Sequence, residues 1–338
     1  MASKRGSFDL SGPSDLTQVD WNNADHRRSV AACLVESVYV LERDRQEERE
    51  GSQALAPRWW EFFNFQLQRK VVDKADSSIF GAIFKYKLNH SADGPHFVVA
   101  FRGTLLNIGS VLQDIMLDFK LIQQGLHSTS RFKTAMQEVR NTVATAGDSR
   151  VWLAGHSLGS AIALQAGKNM AKDGSYLESF LFNPPYLSAP IEKIKNKKWK
   201  RGIQILNSTA SALGALAKKS LQQLNQSADS FAALSPWVPQ LFVNAEDYIC
   251  SGYIGYFEHR DWMQKKGAGA IQRVASHHSS GSIFKSKKKG KQAEPLHLIP
   301  SANLTINLDP PLEFMKAHSI REWWKQDLRL ESQVYEYN

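Results

Sequence analysis

Apolar positions recur along this chain with two different periods, and their alternation predicts its architecture. From Asn23 onward, Val30, Ala31, Leu34, Val35, Val38 and Leu41 fall at helical spacing. That predicts a long helix, with the charged run 42–50 as its solvated end. Short apolar runs at 79–86, 96–101, 151–154, 179–182, 204–206, 239–243 and 304–308 read as strands, the first two joined by a turn over 89–95. Helical patterns separate most of them. The alternation predicts an α/β fold, a mainly parallel sheet with helices on both faces, because strands buried on both sides read as continuous apolar runs.

The remaining stretches set the expected boundaries. Residues 1–22 are polar and turn-rich and are expected to form a flexible N-terminal arm, with 23–338 as one domain. Within it, 188–237 carries Leu213, Leu216, Ala217, Leu221 and Leu224 at helical spacing, which predicts a helical cap insertion. The Ser/Gly/Lys-rich segment 276–292 is expected to be a flexible basic loop. The aromatic cluster from Trp59 to Phe65 is expected to fill core or groove rather than to stack on bases.

Composition narrows the class. The 338 residues are 42% hydrophobic, ample for a sizeable core. Two cysteines, Cys33 and Cys250, give no disulfide framework, the opening residues lack the apolar core of a secretory signal, and no run reaches 18 apolar residues. A cytoplasmic protein is expected. The net charge of +9 is concentrated in two basic runs, 193–201 and 285–291, which suit peripheral contact with an anionic membrane surface. The charge is accompanied by no nucleic-acid recognition motif, so no specific nucleic-acid binding is expected. No His/Cys/carboxylate cluster has ligand spacing, so neither metal nor organic cofactor is expected. Oligomeric state is not readable from the chain.

The chemistry lies at Gly155-His156-Ser157-Leu158-Gly159, which directly follows the apolar run 151–154 and precedes a helical pattern. A serine hydroxyl needs a sharp strand-to-helix turn, a histidine base and backbone N–H groups aimed at the developing oxyanion. Ser157 is thus the candidate nucleophile. The oxyanion hole takes one N–H from the residue after it, Leu158, and a second donor from a loop after an earlier strand. Thr104, in Phe101-Arg102-Gly103-Thr104, fits that second place through its N–H and hydroxyl. The following stretch 105–114 has apolar residues on one helical face and could line an acyl pocket. By position alone the acid could be Glu246, Asp247, Asp261 or an earlier carboxylate. Chain order and setting leave His259, His297 and His318 as bases.

Together with Phe182-Asn183-Pro184-Pro185 and Val243-Asn244-Ala245-Glu246-Asp247, these motifs resemble the fungal-type (class 3) lipases, in their plant intracellular branch, over roughly residues 70–325. The resemblance implies an α/β-hydrolase fold and a triad running Ser, Asp, His along the chain. It selects Asp247 as the acid and, by its position near the C-terminus, His318 as the base. Ser160 departs from the family, which usually has a glycine there. The implied function is hydrolysis of a lipid or other acyl ester through an acyl-enzyme on Ser157. The alternative is a non-catalytic lipase-like scaffold, which would be free to lose Ser157, Asp247 or His318.

Overall fold

A computed structural model of the chain describes residues 6–88, 94–105, 126, 129–186, 231–265 and 297–337. Among these residues eight strands form one sheet in sequence order: β1 (Phe65–Val72), β2 (Ile79–Tyr86), β3 (Phe97–Phe101), β4 (Val151–His156), β5 (Glu178–Phe182), β6 (Gln240–Asn244), β7 (Ala302–Asn307) and β8 (Leu330–Tyr335). Neighbours from β3 through β7 run parallel; β1, β2 and β8 add antiparallel edges. The expected α/β class with a mainly parallel sheet is what forms.

Seven α-helices are used below: α1 (Phe8–Ser11), α2 (Ala24–Gln46), α3 (Arg58–Glu61), α4 (Ser130–Ala146), α5 (Leu158–Lys172), α6 (Gly252–Lys265) and α7 (Phe314–Ala317). They cover both faces, because successive strand residues point to opposite sides. On one side Val98, Ala100, Trp152, Ala154, Phe180, Phe182 and Phe242 pack with α2. On the other, Val99, Phe101, Val151, Leu153, Leu181, Leu241 and Val243 pack with α4, α5 and α6. Helix α2 starts where its sequence cap requires: the Asn23 side chain accepts the N–H groups of Asp25 and His26.

Three expectations need correction. The run 42–50 is only partly a solvated end: Arg45, Gln46, Glu47, Glu48 and Glu50 are exposed, but Glu42, Asp44 and Arg49 are buried. Glu42 accepts the N–H of Ile79 at 2.8 Å, and Asp44 accepts those of Leu55 and Ala56 at 3.0 and 2.9 Å and pairs with Arg49, so the charges cap neighbouring backbone. The N-terminal segment packs from Gly6 onward. Phe8 and Trp21 are buried, and Phe8 meets Trp59 edge-on at 5.1 Å, because those two aromatics complete the layer over α2 and α3. The edge strands β1 and β8 are additions to the strands that the apolar runs predict. The cap lies outside the described residues up to 230, while Phe231, Leu234 and Trp237 at its end are buried. The basic run 193–201, the loop 276–292, the strand 204–206, the stretch 106–114 and residues 89–93 of the expected turn also lie outside them. Among the described residues no helix is long and apolar enough to cross a membrane.

Candidate active site

The turn between β4 and α5 carries the site. Ser157 stands there with φ 54° and ψ −122°, a conformation non-glycine residues rarely adopt, which lifts its side chain out of both elements. Such a turn requires backbone to touch backbone. A Cβ on Gly159 would lie 2.2 Å from the carbonyl oxygen of Phe101, and one on Gly155 would lie 2.4 Å from that of Gly159. The Ser160 hydroxyl lies 2.6 Å from the Gly155 carbonyl and 2.7 Å from that of Phe182, and so ties the helix start to β4 and β5.

Ser157, His318 and Asp247, far apart in sequence, meet here. The Ser157 hydroxyl is 3.0 Å from His318 Nε2, and His318 Nδ1 is 2.7 Å from Asp247 Oδ2. All three are buried. A carboxylate can only accept, so His318 Nδ1 carries the ring proton and leaves Nε2 to accept from the serine. Asp247 follows the end of β6, and His318 follows α7 and precedes the 3-10 helix Ile320–Trp324.

Asp247 is held by more than the imidazole. Asn183 Nδ2 donates to Oδ2 at 2.7 Å, the Cys250 thiol to the same oxygen at 3.2 Å, and the N–H of Ile249 to Oδ1 at 3.0 Å. Burial alone would push its carboxyl pKa up. The positive charge available on His318 and the hydrogen bonds from His318, Asn183 and Cys250 outweigh burial and hold it below the ordinary value. Asn183 also donates to the carbonyl of Ala317 at 3.2 Å and accepts from Trp323 Nε1 at 2.6 Å, and Asn244 Nδ2 donates to the same Ala317 carbonyl. Sequence reasoning misses the roles of Asn183, Asn244 and Cys250, although Asn183 and Asn244 lie in motifs singled out by resemblance.

A second set of contacts leaves no mark in the sequence at all. Tyr39 Oη on α2 lies 2.7 Å from His156 Nδ1 and accepts the Gly103 N–H at 2.7 Å, while His156 Nε2 lies 2.7 Å from the His318 carbonyl. Burial, and then the nearby His318, push the His156 pKa down to about 3. A cavity of about 630 Å³ opens over the serine, lined by Tyr39, Thr104, His156, Ser157 and His318 among others. Thr104 thus lines the same cavity as Ser157, and Leu158 is the first residue of α5, whose first N–H groups have no partner within the helix.

The rival residues stand elsewhere. His297 is buried against Tyr186, and among the described residues neither ring nitrogen has a hydrogen-bond partner. His259 lies on α6 with its ring stacked on Trp262. Glu246 is exposed, and Asp261 pairs with Lys265 on α6 at 2.7 Å.

A family model described as a Tle-like phospholipase domain matches residues 30–179. A GDSL esterase/lipase of Arabidopsis thaliana is 50% identical over 353 residues, spanning 100% of this chain and 99% of that protein. Among solved structures, the lipase of Rhizopus microsporus var. chinensis aligns with a TM-score of 0.35 at 12% identity, over 67% of this chain and 69% of that one. Lipase II of Rhizopus niveus aligns with a TM-score of 0.34 at 11% identity, over 67% and 73%.

Proposed function

The chain belongs to the esterase/lipase family of the Arabidopsis thaliana protein, and on that premise we propose that it is a serine carboxylic-ester hydrolase acting on lipid or other acyl esters. The observation that carries the reading is the continuous line from Asp247 through His318 to the Ser157 hydroxyl, with contacts of 2.7 and 3.0 Å. His318 Nε2 takes the hydroxyl proton as Ser157 Oγ attacks the ester carbonyl, and Asp247 fixes the ring's tautomer and stabilises the imidazolium. The N–H of Leu158 and the N–H and hydroxyl of Thr104 receive the oxyanion. His318 then returns the proton to the departing alkoxide, leaving an acyl-enzyme. Water attacks that ester with His318 again as base, releasing the acid and restoring Ser157.

A lipid substrate is supported by the rim of the cavity. The loop after β7 exposes Leu308 and Leu312, and α7 exposes Met315; Leu312, just after Pro310-Pro311, is 88% exposed. Met315, Lys316 and Lys325 line the cavity that holds Ser157. Exposed apolar side chains next to that cavity suit peripheral contact with a lipid surface, while Lys316 and Lys325 are paired with Glu313 and Glu322.

Labelling with a fluorophosphonate probe and mapping the modified peptide tests the hydrolase reading. Adduct on Ser157 is expected, lost in Ser157→Ala and slowed by about 10⁴-fold in His318→Ala. A folded protein that reacts nowhere would leave the scaffold alternative standing.

A further inference from the structure

We propose that Tyr39 is a positioning residue for ester hydrolysis, holding the Gly103-Thr104 turn and the backbone of His318 in register through His156. The role rests on the hydrolase reading of Ser157. A count of protons fixes the direction of each bond. His156 Nε2 faces the His318 carbonyl oxygen at 2.7 Å, and two bare lone pairs would repel at that distance, so Nε2 carries a proton. With its pKa pushed down to about 3 by burial and the neighbouring His318, the ring carries a single proton at neutral pH, which makes Nδ1 an acceptor. Tyr39 Oη, 2.7 Å away, therefore donates its one proton to Nδ1 and uses an oxygen lone pair to accept the Gly103 N–H. Burial raises the phenol's pKa well above its ordinary value, so that proton stays in place. The run is Gly103 N–H to Tyr39, Tyr39 O–H to His156, and His156 Nε2–H to His318 C=O, with each donor used once.

Both ends of the run reach the reaction. Gly103 immediately precedes Thr104 and sits between phenol and nucleophile: a Cβ there would lie 2.7 Å from Tyr39 Oη and 2.9 Å from Ser157 Cβ. Arg102 completes the grip on this turn, with Nε donating to the Ile79 carbonyl and Nη1 to that of Gly103, both at 2.7 Å. At the other end the carbonyl of Ala317 is held by Asn183 and Asn244, and that of His318 by His156. The base is thus pinned by consecutive peptide groups, and only the second depends on Tyr39. Losing the phenol hydroxyl leaves the Gly103 N–H without that partner and lets the His156 ring turn, so the second oxyanion donor and the base loosen together. Tyr39 acts through Gly103 and His156, not on the ester bond.

The test is Tyr39→Phe, which keeps the ring's bulk and removes only the hydroxyl, assayed on a short p-nitrophenyl ester with active sites counted by fluorophosphonate. We expect kcat per active site to fall about 10- to 100-fold, the scale of a small misplacement of catalytic groups, with KM within about twofold. His156→Phe should fall similarly. The double variant should fall no further than either single one, because the run acts as a unit. Nitrogen-15 NMR of the parent should find the His156 proton on Nε2, and Tyr39→Phe should shift the Nδ1 resonance. An unchanged kcat in Tyr39→Phe, additive losses in the double variant, or a parent His156 protonated on Nδ1 would each overturn the proposal. The NMR reading needs no turnover, so a parent that hydrolyses nothing would sink the hydrolase reading while the tautomer still decided the relay.

Discussion

Asn183 Nδ2 stands 2.7 Å from Asp247 Oδ2, the same carboxylate oxygen that His318 Nδ1 reaches at 2.7 Å. One amide thereby fixes the carboxylate, and through its carbonyl oxygen it also takes the Trp323 N–H. Its backbone sits at φ 46°, a region asparagine tolerates better than most residues. Replacing it with alanine strands a buried N–H and removes a hydrogen bond to a buried charge. We expect Asn183→Ala to cost about 2 kcal/mol in urea unfolding and to lower kcat as well, because the acid can then rotate. A stability loss with unchanged kcat would reduce Asn183 to a structural link.

Thr104 lines the cavity beside Ser157. If its hydroxyl serves the oxyanion along with its N–H, Thr104→Val should lower kcat by about 10- to 1000-fold while KM stays near its starting value. The swap is nearly isosteric, so the melting temperature should move little. Equal kcat in both proteins would leave the backbone N–H alone in that place.

How far the chain could be read depended on whether the signal was local. Strands β3 to β6 announce themselves as apolar runs because both faces are covered. Strand β1 passes through Gln66, Gln68, Arg69 and Lys70, and β8 through Glu331, Ser332 and Gln333, so each edge looks like a loop until its neighbour supplies a ladder. The turn around Ser157 was legible because Gly155, Ser157 and Gly159 fall within five residues between an apolar run and a helical pattern. Choosing Asp247 and His318 needed a family pattern, since nothing local tells either from its rivals. Tyr39 and His156 are 117 positions apart, and Asn183 and Asp247 are 64 apart, so their partnership exists only once the sheet has formed. The same holds for Glu42 and Asp44, whose charge pattern reads as solvated until the N–H groups of Ile79, Leu55 and Ala56 arrive.

Stability should fall in mild acid for a definite reason. His156 and His297 are buried, and burial pushes both down to about 3 from an ordinary 6.5, with help from His318 in one case and Lys168 in the other. Between those values the unfolded chain binds a proton at each site that the folded chain refuses, so stability drops as pH falls through that window. Each such proton is worth about 1.4 kcal/mol per pH unit. Asp247 does not confuse the window: its carboxyl is depressed below 3.8, so its contribution is lost only at lower pH. Substituting His297, whose ring has no hydrogen-bond partner among the described residues, removes one of the two protons. Urea unfolding from pH 6 to 4.5 should show a slope shallower by up to about 1.4 kcal/mol per pH unit in His297→Phe. Parallel slopes would mean that His297 is protonated in the folded protein.

The rim of the cavity makes a prediction about where the substrate is met. Leu312 is 88% exposed in the loop that also exposes Leu308, and Met315 on α7, three residues on, is exposed and lines the cavity over Ser157. Large exposed apolar side chains cost little when they can enter a lipid surface, and each loses that gain when replaced by a charge. Lys316 and Lys325 on the same cavity wall would add attraction to anionic headgroups, but each has an acidic partner, Glu313 at 2.9 Å and Glu322 at 2.6 Å. Their contribution should therefore be small beside that of the leucine. In a flotation assay, Leu312→Asp should bind vesicles of mixed neutral and anionic phospholipid about 10-fold more weakly than the parent, and salt should restore little of the loss. Hydrolysis of an acyl ester presented in those vesicles should fall with binding, more than hydrolysis of a short soluble ester. Equal flotation of the two proteins would remove this loop from the lipid-facing surface, and a loss that salt fully mimics would shift the contact to the lysines.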